Sequence, residues 1–158
     1  MNLILPFTEE DYDKSRGYFD NMNRVSGFIA ERALYRAYGK EWEHSYKEVD
    51  IHLYNADIQI KSRVASPIPK RYFITHQEKG YKTTRGFIFG EVCYDSSGCT
   101  GSFEIYPYVF ATKYILSNSQ DLVRGHHNFG QHIHEDLLKK CPNEHKFQIK
   151  KQDLIGIK

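Results

Sequence analysis

Cysteine is scarce in this chain. Cys93, Cys99 and Cys141 are the three among 158 residues, and so small and odd a set argues against the disulfide framework of a secreted domain. Cys93 and Cys99 bracket a turn-like stretch, Tyr94-Asp95-Ser96-Ser97-Gly98. A bridge there is geometrically feasible but is not expected in a reducing compartment. Long apolar runs are missing as well, so no membrane span is expected. The first ten residues carry neither a basic n-region nor a long apolar h-region, so no signal peptide is expected. A soluble, cytoplasmic protein follows. No repeat, low-complexity tract or Pro/Gly/Ser-rich linker divides the chain, and residues 1–158 are read as a single domain large enough for its own core. A strong excess of either charge is also lacking. The formal net charge is +2, so any nucleic-acid footprint must be local. A nuclease, which must also hold acidic metal ligands, stays compatible with that balance.

Aromatic residues are plentiful at 15%, mainly twelve tyrosines and ten phenylalanines. They suit strands first, and a surface for flat partners such as bases second. Thr8 to Asp20 reads as a short polar helix with Thr8 as N-cap. Ser26 to Gly39 reads as a second helix. Ala30, Ala33, Leu34, Ala37 and Tyr38 form one apolar stripe, Ser26 is a candidate N-cap, and Gly39 is a candidate C′ residue. The period then changes to two. Val49, Ile51 and Leu53 alternate with Asp50 and His52, and Ile58 and Ile60 alternate with Asp57, Gln59 and Lys61, which predicts a hairpin turning at Asn55-Ala56. Further strands are expected at Arg71–Thr75, Arg85–Tyr94, Gly101–Val109 and Lys146–Ile149, the last followed by a helical turn. A short helix is expected at Ala111–Ser117, a loop at Gly125–Gly130 and a helix at Gln131–Lys140. This order predicts an α/β (α+β) layout with a mixed sheet, not a doubly wound βαβ repeat.

With a two-residue turn at Asn55-Ala56, Tyr54 faces Asp57, His52 faces Gln59 and Asp50 faces Lys61. Asp50, His52, Gln59 and Lys61 then share one face, and the isoleucines and Leu53 share the other. Glu31 sits about 100° around the helix from Ala30. It lies at the edge of the apolar stripe, beside Gly27 and Leu34, from where it can reach the hairpin.

Asp50, eight intervening residues, then Gln59-Ile60-Lys61 resembles the PD-(D/E)XK nuclease signature. The segment Gly27-Phe28-Ile29-Ala30-Glu31-Arg32-Ala33-Leu34 is similar to the first helix of that fold, which often supplies a glutamate. The Arg85–Val92 strand, the stretch from Phe103 to Tyr114 and the closing Phe147–Ile155 segment resemble the continuation of small phage and bacterial members. The resemblance implies a restriction-endonuclease-like core, a central mixed β-sheet flanked by helices. It also implies a Mg²⁺-dependent DNA endonuclease, with Mn²⁺ able to substitute. The implied metal ligands are Glu31, Asp50, Gln59 through its amide oxygen, and the Ile60 carbonyl. Lys61 completes the catalytic set Glu31, Asp50, Gln59 and Lys61 by orienting water or stabilising charge on the phosphate. The sequence departs from the pattern at Gln59, where an acid is usual, because an amide adds no negative charge.

Other readings stay open beside this one. Asp50 and Lys61 fit a plain cross-strand ion pair. The same fold, weakened by Gln59, fits a module that binds nucleic acid or a protein. Arg63, Lys70, Arg71, Lys79 and Lys82, near Tyr72, Phe73, Tyr81 and Arg85, fit a nucleic-acid groove, and equally a solvated loop. His126, His127, His132, His134, Cys141 and His145 offer donors for zinc in no recognised pattern, and surface histidines explain them as well. A homodimer is compatible with cutting two strands, but no segment demands it.

Overall fold

The computed structural model of the protein describes residues 2–18, 22–42, 50–67, 71–75, 84–121 and 130–157. Strand β1, Leu3–Phe7, begins it and was not expected from the sequence. Its Leu3, Leu5 and Phe7 are buried while Ile4 and Pro6 are exposed, the period-two signature of a half-buried strand. Thr8 then caps α1, Glu9–Tyr18. Its hydroxyl accepts the Asp11 N–H at 3.3 Å, and the Asp11 carboxylate accepts the Thr8 N–H at 2.9 Å, so two orphan donors of the helix start are satisfied reciprocally.

Helix α2, Met22–Ala37, starts four residues earlier than expected. Ser26 is therefore no N-cap. It lies inside the helix, buried, with its hydroxyl 2.8 Å from the Tyr94 hydroxyl. Of the expected stripe, Ala30, Ala33, Leu34 and Ala37 are buried and Tyr38 is half-buried, and Val25 and Ile29 extend it toward the helix start. Each large member contributes about 1.5–3 kcal/mol by leaving water. The end is also as read. Gly39 adopts φ +67°, the Lys40 N–H reaches the Tyr35 carbonyl and the Gly39 N–H reaches the Arg36 carbonyl, both at 2.9 Å, which is the Schellman closure. Asp11, fully buried, clamps α1 to α2 by accepting from Arg32 at 2.9 Å and from Arg36 at 2.7 and 2.5 Å.

Strands β2, Ile51–Leu53, and β3, Ala56–Val64, form the expected hairpin, with a correction to its turn. Ile51 pairs with Ile58, His52 with Asp57 and Leu53 with Ala56. The turn residues are Tyr54 and Asn55, at φ 53° and 59°, not Asn55 and Ala56. Two positive φ values define a type I′ turn, whose twist matches the strands. The pairing slips by two positions relative to the expectation. An even slip keeps every side chain on its face, so the expected division of faces survives.

Strand β4 spans Arg71–Thr75, β5 Thr84–Tyr94, β6 Gly101–Ile105 and β7 Tyr108–Ala111. The single strand expected over 101–109 is thus two, broken at Tyr106-Pro107 because proline gives no ladder N–H. Helix α3, Thr112–Asn118, leads to β8, Gln120–Asp121. The expected 125–130 loop lies outside the described residues except for Gly130. The helix expected over 131–140 is a strand, β9 at Gly130–His134, followed by a five-residue helix, α4 at Glu135–Lys139. Tertiary pairing overrides local pattern there, because β9 sits between β4 and β8. Strand β10, Lys146–Gln148, and short helical turns at Lys151–Asp153 and Ile155–Ile157 close the fold.

The main sheet runs β1-β6-β5-β3-β2, with β7 paired to β5 and β10 to β7. Strands β3 and β5 are parallel and the remaining pairs antiparallel, so the sheet is mixed. Its β5 is buried on both sides, as Gly86-Phe87-Ile88-Phe89-Gly90 suggests. Ile88 and Val92 face α2 in one core with Ile58, Phe103 and Leu34. Phe87 and Phe89 face a second core with Tyr72 and Ile74 of β4, Ile133 of β9, Ile115 of α3 and Leu138 of α4. Gly90 lets β6 approach closely, since a Cβ there would meet the Glu104 carbonyl oxygen at 2.5 Å and the Phe103 ring at 2.7 Å. The result is an α/β architecture, a mixed sheet with two helices on one face and a small three-stranded sheet with two short helices on the other.

Candidate functional site

The hairpin register fixes the polar residues. Asp50 immediately precedes β2. Its carboxylate accepts the Ile60 N–H at 2.7 Å, and its own carbonyl accepts the Tyr35 hydroxyl at 2.7 Å. Asp50 is therefore pinned to β3 on one side and to α2 on the other. Within an extended strand the N–H and C=O of one residue point to the same side, so the Ile60 carbonyl is aimed toward the same edge as Asp50. Continuing the Ile51–Ile58 pairing by one step sets Gln59 level with Asp50. Gln59 is 7% exposed.

Glu31 and Lys61 approach Asp50 from opposite faces of the sheet. Glu31 belongs to α2, one turn before Tyr35, on the side of Ile58 and Ile60. Lys61 alternates with those isoleucines and stands beside Phe89 of β5, on the other face. Charge interactions link Asp50 to both. Burial, followed by the neighbouring Asp50 carboxylate, pushes Glu31 up to about 8, opposed by a hydrogen bond from Trp42. Burial also raises Asp50, against the Ile60 N–H and the Lys61 ammonium, which favour its charged form. Burial lowers Lys61, and Asp50 resists that shift. These are the effects expected when like and unlike charges share a dry site.

Of the expected set, Asp50 interacts with Glu31 on one face and with Lys61 on the other, the Ile60 N–H binds Asp50, and Gln59 is level with Asp50. Two contributors were missed by sequence reasoning. Tyr35 was legible in principle, as the residue one helical turn beyond Glu31. Trp42, which meets Phe28 edge-on at 5.4 Å and lies under Arg32 at 5.0 Å, carries no pattern that would have found it.

The expected nucleic-acid residues divide. Arg63 shares the Lys61 face, but its side chain is 17% exposed and lies 3.9 Å from Glu91. Arg71, Arg85 and Phe73 are exposed, whereas Tyr72 is buried in the second core and offers no stacking surface. Lys70, Lys79, Tyr81 and Lys82 lie outside the described residues, as do His126 and His127. His132 and His134 share one face of β9. Cys141 is buried with its Sγ 3.6 Å from the His145 carbonyl, and the His145 ring stacks on Tyr114. Among the described residues no three His, Cys, Asp or Glu side chains form a metal-binding group, so the zinc arrangement is not assembled there. Cys93 and Cys99 are free thiols. No described helix is long and apolar enough to cross a membrane.

No protein-family model matches the sequence, and no curated protein matches it.

Proposed function

We propose that the chain is a Mg²⁺-dependent nuclease of the restriction-endonuclease-like kind that hydrolyses phosphodiester bonds in DNA. The observation that carries this reading is the pair of half-buried carboxylates, Glu31 and Asp50, forced together beside Lys61. Two anions in a desolvated site repel, and without a cation the pair keeps a proton at neutral pH. A hard divalent ion with oxygen ligands relieves that repulsion, and the two carboxylates with the Ile60 carbonyl, aimed toward the Asp50 edge, offer it oxygen donors, with Gln59 level with Asp50 on the Lys61 face. The element order of α2, the β2–β3 hairpin and the parallel β3–β5 pair supports the same reading.

When bound, such an ion neutralises the scissile phosphate and lowers the pKa of a water molecule. The chain's own groups do the rest. Ile60 N–H and Tyr35 hydroxyl fix Asp50, so its second oxygen has one direction to face. Lys61, desolvated, presents its ammonium to the attacking water or to the charge that grows on the phosphate. A second reading, a nuclease-fold module that binds nucleic acid or a protein without cutting, is favoured by Gln59, which leaves the ligand set one charge short. Working on both strands of a duplex would call for two copies.

Incubating supercoiled plasmid and single-stranded DNA with the protein and Mg²⁺ or Mn²⁺ tests the proposal. Metal-dependent cutting is expected, falling by at least about a hundred-fold in Asp50→Ala and in Lys61→Ala. Cutting that needs no metal, or that both variants retain, overturns it. DNA binding without cutting selects the second reading.

A further inference from the structure

We infer that a pocket between the start of β1, β7 and the segment following β10 is a binding site for a phosphorylated molecule of nucleotide size. The start of β1, Pro107 and Tyr108 at the start of β7, and the segment running from β10 into the helical turn at Lys151–Asp153 border an open cleft of about 580 Å³. That volume falls within the roughly 300–1,000 Å³ of small-molecule sites. The walls are firmly held. Gln148 pairs with Tyr108 across the β10–β7 ladder, and the Ile149 N–H donates to the Pro107 carbonyl at 2.8 Å. Leu3 and Ile149, 7% and 2% exposed, form an apolar floor with Pro107.

The polar lining has one electrostatic character. Lys150 and Lys151 line it together with Asn2, Gln148 and Gln152, and no aspartate or glutamate is among the described lining residues. The acids nearby are engaged outside the pocket. Glu104 accepts from Asn2 at 3.3 Å, and Asp153 accepts from the Tyr54 hydroxyl at 3.0 Å. Lys146 adds a third ammonium beside the pocket, its Nζ 4.2 Å from the centre of the Tyr108 ring. Lysines clustered without acids favour a compact, multiply charged anion such as phosphate. A bare phosphate is only a few times larger than the roughly 30 Å³ of a water molecule and leaves most of the space unfilled. The remainder offers an apolar floor for a flat ring and the Gln148 and Gln152 amides, which both donate and accept, and these match the edge of a nucleobase and the hydroxyls of a sugar. Asp50 is not among the described lining residues, the segment following β10 reaches the hairpin only at its turn, where Asp153 accepts from the Tyr54 hydroxyl, and the inference does not depend on the nuclease reading.

Calorimetric titration of the full chain with adenosine monophosphate, adenosine and inorganic phosphate tests the inference. Adenosine monophosphate is expected to bind one per chain with a dissociation constant below about 1 mM, at least ten-fold tighter than either part alone. Lys150→Glu with Lys151→Glu, at two exposed positions that leave the core untouched, should weaken it at least ten-fold with the circular dichroism spectrum unchanged, while Asp50→Asn should bind as the wild type does. Affinity no better than that of phosphate or adenosine, or affinity kept by the double variant, or binding lost in Asp50→Asn instead, overturns the inference.

Discussion

Replacing Glu31 by glutamine should make the metal-free protein more stable, and increasingly so as pH rises. The carboxyl group is pushed from an ordinary 4.5 to about 8 by burial and by Asp50. Because the folded value is raised, the folded protein holds a proton that the unfolded chain releases above pH 4.5. Stability therefore falls as pH climbs from about 4.5 to about 8 and levels off beyond it. At about 1.36 kcal/mol for each pH unit, that interval amounts to a ceiling of about 5 kcal/mol, which water entry and side-chain relaxation reduce. Glutamine keeps the shape and an acceptor for Trp42 but never ionises, so it escapes the loss. Between pH 5.5 and pH 8.5 the advantage of Glu31→Gln over wild type should grow by about 2–3 kcal/mol. For a domain of this size that is roughly 5–10 °C in Tm. Differential scanning calorimetry in the presence of a chelator reads it directly. A Glu31→Gln protein that melts no higher than wild type at pH 8.5, or whose advantage is the same at both pH values, would refute the electrostatic account of the site. Saturating Mg²⁺ should then erase much of the gain if the two carboxylates share a cation, since ligand binding stabilises the wild type by mass action.

Three further outcomes follow from the geometry. Asp11→Asn should cost about 3 kcal/mol in urea unfolding at pH 7, because it leaves Arg32 and Arg36 without their buried counter-charge. Burial alone would raise Asp11, but the hydrogen bonds from Arg36, the Thr8 N–H and Arg32 hold it below the usual 3.8, so its contribution is present above pH 3.8 and vanishes as the medium is acidified through the lower folded value. Gly90→Ala should destabilise by about 1–3 kcal/mol or prevent folding, read by circular dichroism and thermal melting, because the new Cβ strikes the Glu104 carbonyl and the Phe103 ring. Gln59→Glu should tighten Mg²⁺ binding measured by calorimetry, as a third carboxylate joins Glu31 and Asp50; unchanged affinity would remove Gln59 from the ligand set.

Much of the local structure was legible in the sequence because local rules dictate it. The α2 stripe, the Gly39 stop, the Thr8 cap and the alternation through Ile51, Leu53, Ile58 and Ile60 each follow from periodicity or from backbone conformations that few residues accept. The division of hairpin faces survived an incorrect turn for the same reason: a slip of two does not change parity. Tyr54 at positive φ was not legible, since a tyrosine there runs against residue preference. It is held by Tyr38 at 2.9 Å, by Asp153, and by the Phe147 ring at 5.2 Å, all distant in sequence. Residues 131–134 were misread for a related reason. Their pattern is ambiguous, and only the neighbours β4 and β8 make them a strand.

What the sequence by itself determined was therefore which residues could carry chemistry and which elements would bear them: Glu31 on a helix edge, Asp50 before a short strand, Gln59 and Lys61 alternating on the next. What only the tertiary structure decided was their company. Whether Glu31 meets Asp50 depends on how α2 crosses β3, whether Lys61 is solvated or dry depends on what covers the second face of the sheet, and both depend on contacts between segments far apart in the chain. Periodicity reports which way a side chain leaves its own backbone. It does not report the burial and neighbouring charge that push Glu31 up and Lys61 down, because those arise only when separate elements exclude water together.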